Sequence, residues 1–125
     1  MSKAKWLDRT VVRGPRLILC TTEKQFLKAV KAIGVINDYA FCDRNEACVH
    51  TFDEDWGMAC LVCMPIDKDR SVAVTASIVA HEATHVAQRF FLRIGEDYPS
   101  KEFQAYVVEN ITRELMEDYM RQSNG

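Results

Sequence analysis

No stretch of this chain is both apolar enough and long enough to form a membrane-spanning helix, which takes about 20 consecutive apolar residues. The opening residues Met1 to Arg9 are not followed by the apolar run of a secretory signal. Cysteine is present in an odd number, five, which argues against a disulfide-stapled extracellular scaffold. Together these absences make a cytoplasmic chain the expectation, with no membrane partner. Basic residues interleaved with aromatics are missing, as is any nucleic-acid-binding motif, so no nucleic-acid partner is expected. Internal repeats and low-complexity segments are absent as well. Only three histidines occur in 125 residues, and two of them fall close together.

What is there fits one globular domain with a modest core: 125 residues, 48% hydrophobic and 27% charged. Net charge is −2, but residues 1–31 are basic and the remainder acidic. That asymmetry reads as intramolecular complementarity plus a solvated helix face.

The paired histidines stand in His81-Glu82-Ala83-Thr84-His85, an H-E-x-x-H pattern. At 3.6 residues per turn, two imidazoles four residues apart lie about 6 Å apart along a helix and can reach one metal ion from one face. Glu82 sits on the flank of that face, where it can meet a metal-bound water without ligating the metal. The pattern arises by chance in roughly one chain in 200 of this composition, so its surroundings have to add weight. No Pro or Gly interrupts Ser71 to Ile94, and Gly95 is a stop signal. Ile78, His81, Glu82, His85 and Arg89 share one side of the expected helix. Val74, Val79, Val86, Phe90 and Ile94 supply apolar faces, and Ala76, Ala80, Ala83 and Ala87 allow close packing. A buried central helix is the expectation.

Catalytic zinc usually takes three protein ligands and leaves one position for water. The downstream Gly and His of the metzincin extension are replaced by Gln88 and Phe91, so the third ligand is expected to be an acid. The candidates are Glu96, Asp97, Glu102 and Glu109. Glu96 and Asp97 follow the helix end too closely to fold back two turns. Pro99 and Ser100 announce a second helix running to about Arg121. On it Glu102, Ala105, Tyr106 and Glu109 share one face, and Val108, Ile111, Leu115 and Tyr119 form an apolar one.

The motif His81-Glu82-x-x-His85 followed by Glu102-Phe103-Gln104-Ala105-Tyr106 resembles the gluzincin metallopeptidases, over about residues 57–121. In size the chain is most similar to the small single-domain members, the minigluzincins. The resemblance implies a zincin-like peptidase acting on a peptide or protein. His81, His85 and Glu102 would be the Zn²⁺ ligands, with Glu109 the runner-up for the third place. Glu82 would be the general base. Tyr106 or Tyr98 would stabilise the oxyanion. It further implies that a strand over residues 58–64 forms the rim of the cleft. The alternative function is a zinc-binding protein of zincin fold, reduced in catalysis and acting as an interaction or assembly module.

The other cysteines and His50 carry blander expectations. Cys60 and Cys63 are three apart in an apparent strand, so they point to opposite faces and cannot share a metal. His50, in the alternating run Ala47 to Phe52, reads as a strand surface residue. For the remainder, residues 11–12 and 16–20 read as strand. A helix capped by Thr21 or Thr22 ends at Gly34. Strands at about 47–52 and 57–64 pair as a hairpin across Asp53-Glu54-Asp55. The order β-α-β-β-α-α gives an α+β fold, a small, mostly antiparallel sheet packed on two C-terminal helices.

Overall fold

The computed structural model describes residues 2–7, 15–36, 40–42 and 46–125. Its elements are β1 (Arg16–Cys20), α1 (Glu23–Ile33), β2 (Cys48–Glu54), β3 (Gly57–Cys63), α2 (Val72–Arg93) and α3 (Lys101–Ser123). This is the expected α+β order. The strand expected at residues 11–12 lies outside the described residues. So do residues 43–45 of the polar turn expected between Cys42 and Glu46.

Helix boundaries follow local chemistry. The Thr22, Ser71 and Ser100 hydroxyls accept from the third backbone N–H beyond each of them, at the start of α1, α2 and α3. Gly34 and Gly95 take left-handed backbone (φ 72° and 75°) and end α1 and α2. At Gly95 the chain closes with Glu96 N–H donating to Phe91 C=O at 2.9 Å, the six-residue closure that satisfies an orphan helix carbonyl.

The sheet has strand order β1-β3-β2 and is mixed. β2 and β3 form the expected antiparallel hairpin, in register Cys48↔Cys63 through Glu54↔Gly57. β1 pairs parallel with β3, Cys20 opposite Cys63. The parallel ladder arises because the chain leaves β1 through α1 on one face before the hairpin returns it. Trp6 adds one antiparallel bridge to Ile18.

Three layers result. α1 covers one face of the sheet, where Phe26, Val30 and Ile33 meet Ile18, Cys20, Phe52, Leu61 and Cys63. α2 and α3 cover the other, where Val79, Ala83, Val86, Ile111 and Leu115 meet Leu17, Leu19, Cys60 and Val62. Alternate residues of each strand thus serve opposite cores. Cys60 and Cys63 fall in different cores, as their spacing requires.

β3 is the central strand. It pairs on both edges, and Ala59 to Cys63 are fully buried. The expectation that residues 58–64 rim a cleft is therefore corrected. An apolar strand hydrogen-bonded on both sides has no edge to offer a substrate. That position belongs to β2, whose outer edge carries no strand among the described residues. Among those residues, too, no helix is long and apolar enough to cross a membrane.

A polar cluster fastens the end of α3 to β1. Gln122 Nε2 donates to Leu19 C=O and Asp118 Oδ2, each at 3.0 Å. Its Oε1 accepts from Thr21 Oγ1 at 2.8 Å and from Gln25 Nε2 at 2.9 Å. Asp118, also buried, accepts from Arg121 Nε at 2.7 Å. Every polar group of the buried amide is satisfied, which is the condition for burying one.

Candidate metal centre and groove

The motif lies in the middle of α2, where the helix turns one face away from both the sheet and α3. A groove of about 1150 Å³ opens there, between α2 and β2. Its helix wall carries Ile78, His81, Glu82, His85 and Arg89, the residues the helical spacing places on one side. Its other wall is β2. Cys48, Val49, His50 and Thr51 all border it in succession. A strand face would contribute only alternate residues, so it is the outer edge of β2, which carries no strand among the described residues, that looks into the groove.

His81 and His85 are exposed to this groove, and Glu82 beside them is 6% exposed. The Nε2 atoms of the two imidazoles stand 3.2 Å apart, with the rings edge to face. Two nitrogens held at zinc distances of 2.0–2.1 Å in a tetrahedral shell would be about 3.4 Å apart. The pair therefore already has the spacing of two donors to one ion. His85 Nδ1 lies 3.3 Å from Gln88 Oε1, a partner that can fix the ring so that Nε2 faces the groove. Burial pushes the Glu82 carboxyl above its ordinary value, opposed by the nearby His81 and His85 charges. An elevated carboxyl pKa suits a group that takes and returns a proton.

The remaining site residues read from the sequence are not brought to this pair. Glu102 sits in the first turn of α3, exposed and outside the groove. The reason is the side α3 presents inward. Phe103 packs on Phe91, with ring centroids 5.5 Å apart, and Val107, Ile111 and Leu115 continue that stripe into the core. The face bearing Glu102, Ala105, Tyr106 and Glu109 is turned to solvent. Tyr106 and Tyr98 are 59% and 95% exposed and do not line the groove either. Among the described residues, no third His, Cys, Asp or Glu stands with His81 and His85 in a metal-capable group. Besides Glu82, the groove holds two acids, Glu46 and Asp53, the latter paired with Arg93 across it.

One metal-capable group exists among the described residues, and it lies on the opposite face of the sheet. Cys48, His50 and Cys63 bring their donor atoms within 4.8 Å of one another. This group could bind a metal ion. His50 is half-buried, its ring 4.8 Å from that of Phe26, not the surface residue its setting suggested. The Cys48 thiol is held well below the usual range by hydrogen bonds from Cys42 and Cys63 and by His50, whereas Cys42 and Cys63 are pushed up. A signal for the group was present in the sequence. Cys48 and His50 are two apart in a strand and so share a face, whereas the place of Cys63 opposite Cys48 follows from the observed register.

Compared with family models, curated proteins and solved structures, the chain matched none.

Proposed function

We propose that this protein is a zinc-dependent peptidase whose centre is His81, Glu82 and His85 and whose substrate is an extended peptide laid in the groove. The observation that carries this reading is the convergence of two imidazole nitrogens to 3.2 Å on the groove wall, beside a buried glutamate and facing an open strand edge. The donor set fits zinc, for which neutral imidazole is a common ligand. Such an ion supplies Lewis acidity toward a carbonyl and acidifies a bound water.

The chain's own groups do the rest. The main-chain edge of β2 offers N–H and C=O groups that an added peptide strand can pair with, so its carbonyls run past the histidines in a fixed register. The Glu82 carboxylate accepts a proton from the attacking water and returns it to the departing amine nitrogen. Arg89, one turn beyond His85 on the same wall, is a cationic donor for the charge that develops on the carbonyl oxygen. Glu82→Gln preserves shape and removes the proton acceptor. It should retain zinc and lose peptide hydrolysis, and a zinc-loaded variant that still turns over would exclude Glu82 as base.

The second reading is a zinc-binding module of reduced catalytic power. The observation favouring it is that Glu102, the third donor implied by the gluzincin-like pattern, is exposed and outside the groove. This reading predicts zinc binding at His81 and His85 with no hydrolysis by wild type of any peptide that binds along β2.

A further inference from the structure

We propose that Cys42, Cys48, His50 and Cys63 form a second, closed zinc site on the α1 face of the sheet, independent of the His81–His85 pair. The argument starts from register. Cys20 of β1, Cys63 of β3 and Cys48 of β2 stand in one row across the sheet, each opposite the next. Their side chains point to the α1 layer. His50, two residues along β2, joins them from the same face, its Nε2 3.4 Å from Cys48 Sγ. An N and an S donor at 2.0–2.1 and 2.3 Å from a tetrahedral zinc would be about 3.6 Å apart. The donor atoms of Cys48, His50 and Cys63 already lie within 4.8 Å of one another.

The fourth donor comes from the segment at residues 40–42. The Cys42 thiol donates to Cys63 C=O at 3.2 Å, which seats its sulfur beside the group of Cys48, His50 and Cys63. That segment also sets the imidazole, since His50 Nε2 lies 3.2 Å from Phe41 C=O. This is the nitrogen that also lies 3.4 Å from Cys48 Sγ, so ligation through Nε2 would replace the carbonyl contact. Cys20 stands behind Cys63, fully buried at the end of β1. Three thiolates and one imidazole make a soft, four-coordinate, closed set, which selects zinc over oxygen-preferring cations and leaves no position for substrate. Binding releases the remaining thiol protons to solvent. The ion joins residues 40–42 to both strands of the hairpin. It therefore fixes β2, the strand that borders the groove, from behind.

The test separates the two sites. Zinc is measured by elemental analysis, and cobalt substitution is followed by absorbance, in the full-length wild type and in a His81→Ala/His85→Ala variant, both purified under reducing conditions. The proposal predicts that the double variant keeps one tightly held zinc per chain. Its cobalt form should show intense thiolate-to-metal charge-transfer bands. In the double-variant background, Cys42→Ser should weaken binding at least tenfold and reduce those bands, and Cys20→Ser should leave both unchanged. A double variant without zinc, or with cobalt bands lacking thiolate character, overturns the proposal, as does a thiol count showing Cys48 and Cys63 oxidised to a disulfide in the native protein. None of these readouts depends on peptidase activity. The wild-type cobalt spectrum reads the thiolate site even if a cysteine variant fails to fold.

Discussion

His81 and His85 meet edge to face across one turn of α2, their Nε2 atoms 3.2 Å apart. Neither ring is locked in the core. Both face a groove whose far wall is the outer edge of β2. The buried carboxylate between them belongs to the same wall. From this arrangement, and from the packing that holds it, four predictions follow in distinct observables.

Glu82 gives the metal-free protein a signed pH dependence. Its folded carboxyl is raised above the ordinary value by burial. The stability associated with it is fully present below the unfolded value and is lost as pH rises through the raised one. Glu82→Gln removes that dependence. Denaturant titrations of zinc-free protein should therefore show the variant gaining on wild type as pH rises above the ordinary carboxyl value of about 4.5. A difference that does not change over that range would mean that burial does not govern this carboxyl.

Glu102 is exposed on α3, outside the groove, and it is Phe103, itself partly exposed, that packs on Phe91. Glu102→Ala should therefore bind zinc at the motif with affinity within about threefold of wild type, under 1 kcal/mol. A tenfold or greater loss in a zinc titration would show that the first turn of α3 delivers the third donor after all, as the gluzincin-like pattern implies.

Leu115 is fully buried in the layer formed by α2, α3 and the sheet. Leu115→Ala deletes packed methyl groups and leaves a cavity, at a cost of about 2–5 kcal/mol in the stability read from chemical denaturation. A loss under about 1 kcal/mol would mean that α3 is not seated on α2 as described.

Gln122 satisfies four polar groups at once, on β1, in the β1–α1 turn, on α1 and on α3 itself. Gln122→Leu keeps comparable bulk and strips the hydrogen bonds. It should cost at least about 2 kcal/mol, because the Leu19 carbonyl and one oxygen of buried Asp118 lose a donor. Amide exchange should quicken at the C-terminal end of α3 first. Unchanged exchange there would remove the anchoring role.

Much of the fold was legible because local signals are strong. Thr21 or Thr22 and Ser100 signal helix starts, Gly34 and Gly95 signal ends, and the side of α2 bearing Ile78, His81, Glu82, His85 and Arg89 follows from a 3.6-residue period. The strand order was not legible. β3 sits at the centre because β1 pairs with it in parallel across a long chain separation, and no local pattern encodes a nonlocal partner. The same limit explains the rim. An apolar run reads equally as an edge or a central strand until its neighbours are known. On α3, one stripe (Glu102, Ala105, Tyr106, Glu109) was read as facing the metal. The stripe through Val107, Ile111 and Leu115 faces inward instead, because burying those apolar side chains outweighs placing an acid there. The grouping of Cys48, His50 and Cys63 needed the hairpin register as well as the sequence.

The measurement that bears most directly on the central claim is the zinc stoichiometry of wild type beside His85→Ala, by elemental analysis and by titration of the metal-free proteins. The account predicts that His85→Ala binds one zinc fewer per chain than wild type, with unchanged fold by circular dichroism. Equal stoichiometry and affinity in the two proteins would contradict it, since His81 and His85 would then not be joint donors to one ion.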